Sequence, residues 1–204
     1  CRAERGSFRF MIIAGALAAA TVGASPTIGQ AGADDAAGER VIEAQNLLAR
    51  GDARGAEARL NQALDNGVPR RAVAAQMGRV LLALGKTREA RGWLEGGEFS
   101  PGTALSGLRA LASLEIREGR LDKAGDAYNR ALALAGDDAA LWADIARFRY
   151  VGGEHLLAIE AADHALKLGP DDPSVLLLQA ELIRDRQGMI PALPWFEKAL
   201  ERSP

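Results

Sequence analysis

The chain has 204 residues, 48% hydrophobic and 25% charged, with a net charge of −2 and an isoelectric point near 5.8. So balanced a charge makes no overall positive field, and neither nucleic acid nor an anionic lipid surface is expected as a partner. Cys1 is the sole cysteine, which excludes an internal disulfide and a cysteine metal site.

The chain opens with Arg2, Arg5 and Arg9, followed by a charge-free run from Phe10 to Ala33. A basic start, an apolar centre from Phe10 to Val22 and the small-residue stretch Val22-Gly23-Ala24 before Ser25 are the three parts of a secretory signal peptide. An uncleaved anchor is the second reading, since about 20 uncharged residues span a bilayer, although Gly15, Gly23, Pro26 and Gly29 weaken such a helix. A disordered or weakly helical leader of a cytoplasmic protein is the third. Residues 1–24 are thus expected to be a signal peptide or N-terminal membrane anchor, placing the rest of the chain in the periplasm or on the inner membrane. Cys1 precedes the apolar run, so it does not fit a lipidation site. Residues 25–36 turn to Ala, Gly, Ser and Asp without apolar periodicity, which is linker chemistry. Arg outnumbers Lys and Ala is abundant, a usage that suits a GC-rich bacterial genome.

From residue 37 the chain repeats every 34 residues. Ala56, Ala90, Ala124, Ala158 and Ala192 share one position; Gly51, Gly85, Gly119 and Gly153 share another. The same step relates Ala44, Gly78, Ala112, Ala146 and Ala180, and again Ala63, Gly97, Ala131, Ala165 and Ala199. Two helices cross closely only where side chains are no larger than a methyl group, and a glycine supplies the left-handed turn between them. The repeats are 37–70, 71–104, 105–138, 139–172 and 173–204. Apolar spacing predicts helix pairs at 40–50 and 53–66, 70–84 and 87–95, 101–118 and 121–135, 138–151 and 154–168, 173–186 and 190–202, with no strand.

In repeat four, Trp142, Ile145, Ala146, Gly153, Ala158, Ala165 and Pro170 occupy the large, large, small, turn, small, small and proline positions of a known pattern. The sequence resembles the tetratricopeptide repeat (TPR) family. That resemblance implies an all-α, right-handed superhelical solenoid of antiparallel helix pairs. A start without Met and a stop at a repeat's closing proline lead to the expectation of a segment of something longer, with further repeats or an enzyme domain beyond Pro204. Departures from the pattern mark specific contacts. Gly96-Gly97 and Ser100-Pro101-Gly102 end the second helix of repeat two near Glu95, with Ser100 capping a helix that opens at Pro101 and a local bend between. Glu115 and Arg149 stand where a large apolar residue is preferred, moving packing onto Leu114, Ile116, Phe148 and Tyr150. Gln187-Gly188, Pro191 and Pro194 predict a late start for the last helix.

Catalytic chemistry finds little support. His155 and His164 lie too far apart along one helix to share a metal, and Gly96-Gly97 lacks the Lys-Ser/Thr of a phosphate loop. Asp138 and Asp172 precede helices and read as caps. Trp93 and Trp195 occupy the same repeat position, Tyr128 is the counterpart of the Leu94 and Phe196 that follow them, and these read as packing between repeats, with Trp142 as core. No cofactor or metal site is indicated, and a non-enzymatic role is expected.

TPR arrays bind peptides or helices along the face lined by the first helix of each pair; the resemblance implies this, and composition does not. In this register that face holds Gln45, Arg79, Ser113, Arg147 and Glu181, with Arg109, Arg117, Tyr150 and Arg184 one turn away. Arg79, Arg109, Arg117, Arg147, Tyr150 and Arg184 are therefore the candidate peptide-binding residues. Guanidinium forks match carboxylates, so the expected partner is a protein or peptide with an acidic segment or C-terminal carboxylate. A merely solvated charged face is the competing reading. Asn46 is the lone Asn in these helices, which argues against the Lys/Asn carboxylate clamp of chaperone-binding arrays. The expected role is a non-catalytic scaffold in assembly or secretion machinery of the bacterial envelope. The alternative is the docking arm of a sulfotransferase- or glycosyltransferase-type enzyme whose catalytic domain lies beyond residue 204.

Overall fold

The computed structural model describes residues 28–203, which form ten α-helices and one short 3-10 turn with no strand. The helices are α1 (Ile28–Ala49), α2 (Ala53–Asp65), α3 (Arg70–Ala83), α4 (Thr87–Leu94), α5 (Ala104–Arg117), α6 (Leu121–Leu134), α7 (Ala139–Val151), α8 (His155–Leu168), α9 (Pro173–Gln187) and α10 (Met189–Arg202). Consecutive helices pair as antiparallel hairpins, and each hairpin packs on the next. The apolar leader from Phe10 to Val22 lies outside the described residues. Within them no helix is long and apolar enough to cross a membrane.

The hairpin turns explain the glycine period. At α3, the N–H of Lys86 bonds the Leu81 carbonyl at 2.8 Å and that of Gly85 bonds Leu82 at 3.2 Å, closing the helix with Gly85 at φ +74°. The same pair of bonds recurs at Gly51, Gly119 and Gly153, where any side chain would be strained.

The small residues sit at the crossings. Ala56, Ala90, Ala124, Ala158 and Ala192 are all completely buried. Around them lie fully buried leucines, Leu60, Leu94, Leu114, Leu141 and Leu176, each contributing about 1.5–3 kcal/mol of transfer free energy. Two apolar clusters run through the array, one built on α1–α5 and the other on α5–α9, so α5 belongs to both. Phe99 bridges them from the irregular segment after α4. A Cβ on Gly107 would lie 2.5 Å from the Phe99 ring, so this ring lies directly on the α5 backbone.

Three expectations are corrected. α1 begins at Ile28, so most of the segment read as a linker is helical; its alanines favour helix even without an amphipathic stripe. Ser100 caps nothing: Pro101–Thr103 is a 3-10 turn, and the Ser100 hydroxyl donates to the Arg71 carbonyl at 3.4 Å. Glu115 itself is 4% exposed beside fully buried Leu114, and its carboxylate pairs with Arg91 at 3.5 Å and Arg120 at 2.5 Å. The same two arginines also pair with Glu118. α10 does not start late: Met189 continues the 34-residue series of Ala53, Thr87, Leu121 and His155. Gly188, at φ +94°, makes the turn alone, and Pro194 sits inside the helix. Pro191 falls among the first four residues, whose N–H groups have no intrahelical partner anyway, so only Pro194 removes a helical bond.

Candidate functional site

Arg79 on α3, Arg109 and Arg117 on α5 and Arg147 on α7 face two adjoining hollows of about 410 and 350 Å³. The larger hollow lies between α3 and α5 and is lined by Arg79, Leu82, Ser106, Arg109, Ser113 and Arg117, with Leu48 and Asp144 at its ends. The smaller lies between α5 and α7, lined by Arg109, Ser113, Ile116, Arg117, Asp144, Arg147, Phe148 and Val151, with Tyr128 at its floor. Spacing of i, i+4 puts Arg109, Ser113 and Arg117 on one stripe of α5, which forms the ridge shared by both hollows.

The four guanidinium groups are not equivalent. Arg109 Nε donates to Asp144 Oδ2 at 2.7 Å, and its terminal nitrogen donates to the Ala140 carbonyl at 3.4 Å. Arg147 Nε donates to Glu181 Oε2 at 2.8 Å; it also approaches Asp144 at 3.5 Å and donates to the Ser174 carbonyl at 3.0 Å. Arg109, Asp144, Arg147 and Glu181 thus form an alternating ladder across α5, α7 and α9, all half-buried. Arg79 and Arg117 are exposed and, among the described residues, bond only to neutral oxygens, Gln76 Oε1 at 3.0 Å and the Leu82 carbonyl at 3.1 Å.

Electrostatics follow from this arrangement. Crowding by the cleft wall, and then the charge of Arg109, hold Arg79 below the ordinary arginine value, with Asp144 opposing. Desolvation also disfavours charge on Arg109, but its charge pairing and hydrogen bond with Asp144 outweigh that and raise it. Tyr128 is buried under the smaller hollow, and burial, followed by the proximity of Asp144, raises its phenol above the ordinary value. Its ring lies 5.4 Å from that of Phe148.

Two of the six candidate residues stand apart. Tyr150 meets His155 edge-on at 5.1 Å, and Arg184 pairs with its neighbour Asp185 at 2.9 Å; neither lines either hollow. Asp144 is the site residue that sequence reading missed. A signal for it was available: Arg109 and Asp144 are separated by 35 residues, one repeat and one position, as Arg147 and Glu181 are by 34.

Other residues singled out in the sequence serve packing and capping. Asp138 accepts from the Leu141 N–H at 2.6 Å, and Asp172 accepts from Ser174 at 2.8 Å and Val175 at 3.2 Å. Trp142 donates to the Gly136 carbonyl at 2.6 Å and meets His164 edge-on at 4.5 Å. Trp93 packs on the first cluster beneath the Arg70 guanidinium, 3.7 Å from the ring centroid.

No protein-family model matches the sequence, and no curated protein does. Solved structures do match. A thermophilic TPR protein from Thermus thermophilus aligns with a TM-score of 0.67 at 22% identity, over 82% of this chain and 92% of that one. A chain of the APC/C hetero-tetramer Cut9-Hcn1 gives 0.64 at 22% identity, over 78% of this chain and 31% of that one. PilF of Pseudomonas aeruginosa gives 0.54 at 18% identity, over 85% and 79%. At such identities the likeness speaks for the fold, and it agrees with the helix pairs, turn glycines and buried alanines in their 34-residue register: the chain is a tetratricopeptide-repeat α-solenoid.

Proposed function

We propose that the protein is a non-catalytic scaffold whose cleft along α3, α5 and α7 holds an acidic segment of a partner protein. The observation that carries this reading is the gathering of four arginines on one face of a chain whose net charge is −2. Two of them are exposed and have no carboxylate partner among the described residues. Charge-assisted bonds from guanidinium to carboxylate contribute about 1.5–3 kcal/mol when desolvated and far less at an open rim. One structure with this fold likewise stands in a hetero-tetramer, Cut9-Hcn1.

The test is fluorescence anisotropy of the full chain with labelled Glu-rich and Lys-rich peptides of equal length. The acidic peptide binds and the basic one does not; binding weakens with added salt. Arg79→Ala with Arg117→Ala reduces it at least tenfold while the thermal midpoint stays put. Equal binding of both peptides contradicts the proposal.

We place this scaffold in the bacterial cell envelope, on the strength of Arg2, Arg5 and Arg9 followed by the apolar run to Val22. In that setting its role is the assembly or secretion machinery of the envelope. A reporter fused after Gly38 is exported on this reading, and Ile12→Asp with Ile13→Asp abolishes export. Export that survives the two aspartates removes the support for an envelope role.

A further inference from the structure

The geometry points to a two-point ligand: a peptide whose carboxylate seats between Arg79 and Arg117, and whose apolar side chain, about three residues away, seats against Ile116, Phe148 and Val151. This rests on the reading of the cleft as a peptide-binding site and specifies what it selects.

The carboxylate position follows from which cations are already committed. Recruiting Arg109 or Arg147 means breaking half-buried bonds to Asp144 or Glu181, leaving a carboxylate without its partner. Arg79 and Arg117 require no such exchange. Each has five N–H donors and bonds one neutral oxygen among the described residues, so a fork edge remains for a carboxylate. The hollow between α3 and α5 also carries three cations, Arg79, Arg109 and Arg117, against the single carboxylate of Asp144. An incoming anion therefore improves the local charge balance.

The apolar position follows from the neighbouring hollow. Val151 is 65% exposed at the end of α7, beside half-buried Ile116 and Phe148. Val151 is also the repeat counterpart of Arg117, 34 residues on; the corresponding residues elsewhere are Ala49, Ala83 and Asp185. A chain crossing from α5 to α7 thus meets a cation and then an apolar side chain at the same height. Packed helix axes lie roughly 8–10 Å apart, and an extended peptide advances about 3.3 Å per residue. That sets the separation at about three residues.

The probes are fluorescein-labelled decapeptides in a Gly-Ser background, each with one Glu and one Leu separated by one to five positions in either order. Anisotropy titrations with the full chain are expected to show an optimum at a separation of about three in one order. Arg79→Gln or Arg117→Gln should remove the preference for Glu over Gln and keep the preference for Leu over Ser. Val151→Ser should do the reverse. All three residues' side chains reach the surface of the cleft, and unchanged circular dichroism verifies that the variants fold. Arg59→Gln with Glu43→Gln, which removes an exposed ion pair of α1 and α2 outside both hollows at constant charge, should alter neither preference. Binding that is indifferent to spacing, or a Glu preference kept by both Arg79→Gln and Arg117→Gln, overturns the two-point assignment while leaving the cleft as an acidic-segment site. If no Glu-containing peptide binds, including the Glu-rich peptide, both this assignment and the proposed function fall.

Discussion

Gly78→Ala sets two physical effects against each other with opposite signs. Gly78 lies within α3, where alanine is the better helix former by about 1 kcal/mol. The other four repeats carry alanine at this position, so the repeat pattern also favours the change. Packing opposes it: a Cβ built on Gly78 would stand 2.3 Å from Leu94 Cδ2, 2.5 Å from Cγ and 2.9 Å from Cδ1. Leu94 is completely buried within the first apolar cluster, so it has no open space into which to turn. Overpacking of this kind costs about 1–3 kcal/mol, and the net expectation is destabilisation by up to about 2 kcal/mol once the propensity gain is subtracted. Urea unfolding followed by circular dichroism at constant m value measures it. A cycle with Leu94→Ala isolates the contact: Leu94→Ala should cost less in the Gly78→Ala background, with a coupling of at least about 1 kcal/mol. Stabilisation by Gly78→Ala, as propensity alone dictates, would refute the claim that Leu94 excludes a methyl group there.

Ala158→Leu introduces three heavy atoms at a fully buried crossing of α7 and α8 and should lower stability by about 1–3 kcal/mol; an unchanged urea midpoint contradicts the crossing. Glu115→Ala leaves half-buried Arg91 and Arg120 with Glu118, and Arg91 also with Glu95 at 4.0 Å, and should cost about 1–3 kcal/mol for the lost charge-assisted bonds. Glu115→Leu should cost less, because a leucine at this buried position keeps the volume filled and buries apolar area that alanine does not, and thermal midpoints of the two variants decide the order. Lys198, with a further contribution from Arg202, holds the Asp171 carboxyl below its ordinary value of 3.8. Its contribution is present above 3.8 and fades as pH falls through the lower folded value, so Asp171→Asn should flatten that part of the acid limb of a stability-versus-pH curve. An identical acid limb in the variant removes the Asp171 linkage.

The helical hairpins were legible because one constraint repeats. A crossing that admits no more than a methyl group selects Ala, and a turn at positive φ selects Gly, so each residue recurs on a fixed period. Legibility failed where one residue's environment comes from another repeat. Glu115 looked misplaced because its counter-ions, Arg91 on α4 and Arg120 before α6, are supplied by neighbouring segments. Ser100 looked like a cap, but the backbone of α3 claims its hydroxyl. In the cleft, the arginines were readable from register alone, whereas the division into committed and available cations depends on where Asp144 points. α10 kept its register against two prolines because Gly188 turns the chain in a single residue, shortening the link by as much as the longer α9 extends it.

The central claim is that recognition occurs on the first-helix face, at Arg79 and Arg117. Titration of the 15N-labelled chain with a decapeptide carrying Glu and Leu three residues apart tests it most directly, read through backbone amides and arginine Nε–H signals. Saturable shifts of the Arg79 and Arg117 Nε–H signals and of the Ser113 amide are expected, and none along α8 and α10. Shifts concentrated on those second helices, with the two arginine signals unmoved at saturation, would contradict it.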